Sequence, residues 1–215
     1  MLVAAPTGAG KTNIALMTIL REISLHIDTS ESQTSWSVKD KPCKIIYIAP
    51  LKALASEIVD KFKSALSYLG VIVRELTGDM GLTKQEIAET HVIVATPEKW
   101  DVITRKTDGM MSLVNVMIID EIHLLNDERG LVLECLVARA ISTGLKIQKP
   151  IRIVGLSATL PNFNDVADFI QADSQGTFAF DSSYRPTPLK CSFYGIKEMG
   201  NAQRGNNIMN EIIFE

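Results

Sequence analysis

The 215-residue chain holds only three cysteines, Cys43, Cys135 and Cys191, and their spacing is neither CxxC nor that of a metal-ligand set. An odd, scattered set excludes a disulfide framework and points to a reducing compartment with thiols in the core. No apolar run approaches the length of a membrane span. With 46% hydrophobic residues, the expectation is therefore a soluble chain rich enough in apolar side chains for one sizeable core, with or without an appendage. A secretory leader is missing, since Met1-Leu2-Val3 runs straight into a glycine-containing loop. Basic charge is not in excess either: 22 Lys and Arg face 25 Asp and Glu, for a net charge of −3. That argues against a broadly basic nucleic-acid binder. It leaves room for a grip through helix N-termini, backbone amides and a few lysines. Repeats are absent, and the single biased stretch, Asp28–Asp40, is rich in Ser, Thr and charge and reads as an exposed, poorly ordered loop.

What the chain does have begins at Ala5-Pro6-Thr7-Gly8-Ala9-Gly10-Lys11-Thr12, set between an apolar stretch and a helical pattern. Glycines here let the backbone curl until successive N–H groups point at an anion, and the following helix adds its positive end. Thr7, Gly8, Ala9 and Gly10 would cradle phosphates, Lys11 would reach the β- and γ-phosphates, and the Thr12 hydroxyl would ligate Mg²⁺. The strict phosphate-loop pattern has glycine where this chain has Ala5.

Leu113–Ile119 is almost wholly apolar, as a strand covered by helices on both faces must be, and it ends in Asp120-Glu121-Ile122-His123. Carboxylates at the C-terminal end of such a strand sit where open α/β sheets bind ligands. Asp120 would hold Mg²⁺ through water and Glu121 would orient and deprotonate an attacking water. Taken alone, the two acids are equally well read as a solvated loop or a helix cap. Ile151–Leu156 reads as a further strand, followed by Ser157-Ala158-Thr159. These hydroxyls are expected to bond the carboxylates of the neighbouring strand and relay the state of the nucleotide.

The remaining elements follow from periodicity and punctuation. Strands are expected over Leu2–Ala5, Lys44–Ala49, Val71–Leu76, Val92–Ala95, Phe178–Phe180 and Leu189–Gly195. Helices are expected over Lys11–Leu25, Leu51–Leu69, Lys84–Ala88, Pro97–Arg105, Asp127–Ser142 and Asn162–Ile170, the last capped by Asn162. The alternation implies a parallel sheet with helices on both faces.

In its order of motifs the chain resembles the first RecA-like domain of superfamily-two helicases of the DExH type. Ala5–Thr12 matches motif I, Ala49–Leu54 motif Ia, Thr96–Trp100 motif Ib, Asp120–His123 motif II and Ser157–Thr159 motif III. Leu76-Thr77-Gly78-Asp79 lies between Ia and Ib. Lys11–Leu16, Trp100–Lys106, His123–Gly130, Ser157–Pro161 and Arg185–Leu189 narrow the likeness to the Ski-two-like group. Within that group it is similar to the N-terminal cassette of the large double-cassette helicases, of spliceosomal and signal-cointegrator kinds. Leu131 departs from the group, which usually has proline there.

The resemblance implies an α/β, RecA-like P-loop NTPase domain that uses ATP and Mg²⁺. It assigns Lys11, Asp120 and Glu121 to catalysis and His123, Ser157 and Thr159 to coupling. Lys52, Thr77, Gly78, Thr96 and Glu98 would face a single nucleic-acid strand. It also implies 3′-to-5′ remodelling of RNA in a spliceosomal ribonucleoprotein. The alternative is a DNA helicase of the signal-cointegrator kind in a multi-subunit complex. Neither involves a membrane, and the site of action would be the nucleus, with the cytoplasm as the alternative.

Residues 1–180 would be the ATP-binding domain and 181–215 a connection toward a second RecA-like domain of the same parent chain. Motifs V and VI do not occur in these residues, and the adenine-reading Q motif would precede Met1, so a piece of a larger protein is expected. By itself it should bind nucleotide weakly and hydrolyse almost none. Two other readings stay open: a P-loop enzyme of another kind, such as a small-molecule kinase, and a cassette that only binds partners.

Overall fold

A computed structural model describes residues 1–26, 43–78, 81–107, 109–193 and 202–214. Its strands are β1 (Leu2–Ala4), β2 (Lys44–Ile48), β3 (Val73–Leu76), β4 (Val92–Ala95), β5 (Val114–Ile119), β6 (Arg152–Ser157) and β7 (Thr177–Ala179). They form one sheet in the order β3-β4-β2-β5-β6-β1-β7, every neighbouring pair parallel. The helices are α1 (Lys11–Ser24), α2 (Lys52–Leu66), α3 (Lys84–Glu89), α4 (Pro97–Lys106), α5 (Gly130–Lys146), α6 (Phe163–Phe169) and α7 (Ala202–Phe214). None of these is long and apolar enough to cross a membrane.

Alternation along each strand divides the apolar residues between two faces, because successive side chains point opposite ways. Val3, Ile45, Tyr47, Val94, Ile118 and Leu156 share one buried cluster with Ile19 of α1 and Phe62 of α2. Leu2, Ile46, Ile48, Ile93, Met117 and Ile119 share the other with Trp100 of α4 and Leu136 of α5. Both faces are therefore dry, which is why β5 is apolar at almost every position. The buried Lys44 ammonium caps the end of α3, donating to the carbonyl oxygens of Ala88 (2.6 Å) and Thr90.

Several expected elements differ in extent. The helix expected from Asp127 starts at Gly130, because Ile122–Asn126 turns as a 3-10 segment first. Gly130 abuts that segment: a Cβ there would stand 2.0 Å from the Leu125 carbonyl oxygen. Leu131, in the place of the usual proline, is exposed in the first turn of α5, where a proline is also tolerated. Asn162 occupies the N-cap of α6 but its side chain makes no capping bond. Leu189–Phe193 carries no strand, and the rest of that expected strand lies outside the described residues, as do Asp79 and the loop 28–40. Only Cys43 is buried; Cys135 and Cys191 are exposed, against the expectation of thiols in the core. Cys43 also meets Glu22 and His26, their ligand-type atoms all within 4.8 Å of one another, a grouping that spacing along the chain does not reveal. Burial pushes the Cys43 thiol up to about 12, which holds it neutral.

Candidate nucleotide site

Strand order sets the site. β6 lies between β1 and β5, so the loop after β1 and the acids after β5 flank the end of β6 at one rim of the sheet. Gly8 and Gly10 have φ of 86° and 92°, in the left-handed region that side chains disfavour. Gly10 is the N-cap of α1 and its carbonyl accepts from Asn13 N–H at 2.8 Å. Ala5 is not a positive-φ residue; it is buried and its N–H continues the ladder to the Ser157 carbonyl at 3.0 Å. The departure from glycine at this position therefore costs the loop nothing. Lys11 Nζ lies on the loop's own carbonyl oxygens, 3.0 Å from Ala5 and 3.4 Å from Pro6. The Lys11 ammonium thus stands at a loop curled by glycine, where an anion's oxygens could replace the two carbonyls as its partners. Pro186 packs against the same loop, its ring 3.4 Å from where a Cβ on Gly8 would stand.

Asp120 follows β5, held by its N–H to the Ile48 carbonyl at 3.0 Å. One carboxylate oxygen accepts from Tyr47 Oη at 2.6 Å and the other from Glu121 N–H at 3.0 Å. Glu121 has φ 49° and ψ 45°, an uncommon conformation for a residue with a side chain. This turn sends the Glu121 carboxylate away from Asp120 to His123, with Glu121 Oε2 at 3.3 Å from Nδ1. His123 Nδ1 also accepts from the N–H of Ala158 at 3.3 Å. That nitrogen can serve one partner at a time. Unprotonated it accepts from Ala158; protonated it donates to Glu121.

The expected hydroxyl contacts are not made. Ser157 Oγ is buried with no hydrogen-bond partner, and Thr159 is exposed. The link from motif II to motif III runs instead from His123 to the backbone of Ala158, because strand alternation turns the Ser157 side chain into the sheet's packed face.

Farther along the rim, the ends of β2, β3 and β4 bring Lys52, Gly78, Thr96 and Glu98 to one side. Lys52 lies over Gly78, its Nζ 3.3 Å from where a Cβ there would stand, and Lys99 Nζ donates to the Gly78 carbonyl at 2.6 Å. Thr77 and Thr96, expected at this rim with backbone amides toward a strand, are both buried, and Thr77 Oγ1 donates to Glu75. Their side chains shape the loops from below. Glu98 is paired: Arg129 reaches it through Nε at 2.7 Å and Nη2 at 2.6 Å, and donates from Nη1 to the Pro50 carbonyl at 2.6 Å. Tyr47, Lys99 and Arg129 were not singled out from the sequence. Arg129 lay within a quoted motif, and its place opposite Glu98 depends on folding residues 31 positions apart onto one another.

The model of the DEAD/DEAH box helicase family matches residues 1–167. Among curated relatives, the chain is 56% identical over 218 residues to "Activating signal cointegrator 1 complex subunit 3" of Dictyostelium discoideum, covering 100% of this chain and 10% of that protein. It is 51% identical over 218 residues to "DExH-box ATP-dependent RNA helicase DExH14" of Arabidopsis thaliana, with the same coverage. With the "U5 small nuclear ribonucleoprotein 200 kDa helicase" of Homo sapiens it shares 50% over 218 residues, again 100% of this chain and 10% of the relative. The chain thus spans about 10% of the length of these relatives.

The left-handed Glu121 generates a stability test. Glycine adopts that conformation without strain, so Glu121→Gly should raise unfolding stability by about 0.5–1 kcal/mol, whereas Glu121→Gln should not. Chemical denaturation of the two variants checks this. A Glu121→Gly variant less stable than the parent would show that the turn is unstrained.

Proposed function

The chain belongs to the DEAD/DEAH box helicase family, and from that membership we propose that it carries the ATP-binding half of an ATP-dependent RNA helicase. The observation that carries the reading is the flanking of β6 by the glycine loop with Lys11 on one side and Asp120-Glu121 on the other. Residues 1–180 act as the first RecA-like domain and 181–215 lead toward a second. RNA is preferred over DNA because one relative, at 51% identity, is an ATP-dependent RNA helicase by name. Relatives named for the spliceosomal particle and for the signal-cointegrator complex match at 50–56% identity, so the assembly is a large complex of one kind or the other. The nucleus is the place of action on the first reading, and the cytoplasm stays open on the second.

In this proposal the N–H groups of Thr7, Gly8, Ala9 and Gly10 and the start of α1 receive the phosphates. Lys11 exchanges the carbonyl oxygens of Ala5 and Pro6 for the β- and γ-phosphates. Thr12 and Asp120 hold Mg²⁺, which when bound supplies positive charge to the phosphate oxygens. Glu121 orients the attacking water and takes its proton. His123, through Ala158, transmits the arrangement of Glu121 to the end of β6; Ser157 and Thr159 frame that segment. Lys52, Gly78 and Lys99 present cations and backbone to a nucleic-acid strand, with Thr77 and Thr96 supporting the loops. Arg129 cancels the charge that Glu98 would otherwise present to phosphate.

Three outcomes test this reading. In the longer parent protein, with its second RecA-like domain, Lys11→Ala should lower RNA-stimulated ATP turnover about a hundredfold or more, as removal of a charge acting on the phosphates does. Glu121→Gln should keep nucleotide affinity while losing turnover; equal loss of binding would contradict its role. In RNA binding, Arg129→Ala should weaken affinity several-fold and Glu98→Gln, added to it, should restore much of the loss. A double variant as weak as Arg129→Ala would show that Glu98 is not the source of the repulsion.

A further inference from the structure

We propose that Tyr47 is a positioning residue for the metal-binding carboxylate, fixing Asp120 through its buried hydroxyl. The inference rests on the nucleotide reading above and adds a residue outside the sequence motifs that define it. Tyr47 sits on β2 opposite Ile118 of β5. Asp120 lies two residues beyond Ile118, on the same face of the sheet, so the long tyrosine side chain reaches it at the rim. The hydroxyl donates to Asp120 Oδ2 at 2.6 Å. Tyr47 is fully buried, and its ring meets Phe62 edge to face, 5.4 Å between centroids at 82°. A hydroxyl so placed has no water to turn to; the carboxylate is its partner.

Asp120 thereby has both oxygens engaged, one by Tyr47 and one by Glu121 N–H, with a lone pair on each still free for a metal or its waters. The plane of the carboxylate is set before any ligand arrives. The donor also offsets repulsion from the neighbouring Glu121. Outer partners of this kind typically change metal affinity about 10–100-fold when removed.

The test is equilibrium binding of fluorescent ADP by the protein, titrated with Mg²⁺ and repeated in EDTA. The parent should bind more tightly as Mg²⁺ rises. Tyr47→Phe, which keeps the ring and its packing, should need about tenfold more Mg²⁺ for the same gain and show unchanged ADP affinity in EDTA. Phe62→Leu disturbs the same packing but keeps the hydroxyl, and should leave the Mg²⁺ midpoint in place. A Tyr47→Phe midpoint equal to the parent's, or a shift of the same size in Phe62→Leu, overturns the positioning role while the nucleotide reading stands. A parent that gains nothing from Mg²⁺ overturns both.

Discussion

A parallel sheet delivers every strand's C-terminal end to the same rim, and everything proposed for this chain depends on that geometry. Seven parallel strands can close only through crossovers, so the loops after them gather at one edge of the sheet. With β6 between β1 and β5, a cationic loop and a pair of acids face each other across one strand's width. Each group is preset by a contact of the protein's own. Lys11 is lodged on carbonyl oxygens, Asp120 is clamped from two sides, and Glu121 is bent into a left-handed turn. For Asp120, on the proposed reading, this clamp would remove a rearrangement on binding; Lys11 would still have to exchange its carbonyl partners for phosphate.

The same rim carries the loops proposed to face nucleic acid, and there a different device operates. On that proposed side the carboxylate of Glu98 is paired with Arg129 rather than absent. Because Arg129 also holds the Pro50 carbonyl, one guanidinium joins the segments after β2, β4 and β5. The fork of donors that a guanidinium offers suits this; a lysine has no equivalent planar arrangement. Arg129 immediately precedes α5, and the 3-10 turn Ile122–Asn126 connects it to Glu121. The loops proposed for nucleotide and for nucleic acid are thus neighbours through a short, packed stretch of backbone.

Legibility in the sequence followed the range of the interaction. The glycine loop, the acids after an apolar strand and the helix opened by Pro97 are local patterns, and the structure has loop, strand and helix in those places. Core residues alternate as their spacing requires. The contacts that depend on strand order were not legible. Nothing local says that Tyr47 and Asp120 end side by side, 73 residues apart in the chain. Nor does it say that His123 meets Ala158 rather than Ser157. Thr77 and Thr96 follow β3 and β4 at the rim, and the motif does not show that they are buried there. The start of α5 was misplaced because the close approach of Gly130 to Leu125 is a packing fact, absent from helical periodicity.

The central claim is that this rim binds a nucleotide's phosphates in the glycine loop, with Asp120 already fixed and Lys11 moving onto them. A crystal structure of the protein with ADP and Mg²⁺ tests it most directly. The account predicts phosphate in the loop of Thr7–Thr12 and Lys11 Nζ moved from the Ala5 and Pro6 carbonyls onto it. Asp120 should keep its bonds to Tyr47 and to Glu121 N–H. Nucleotide bound elsewhere, or an Asp120 that swings free of Tyr47 to meet the metal, would contradict it.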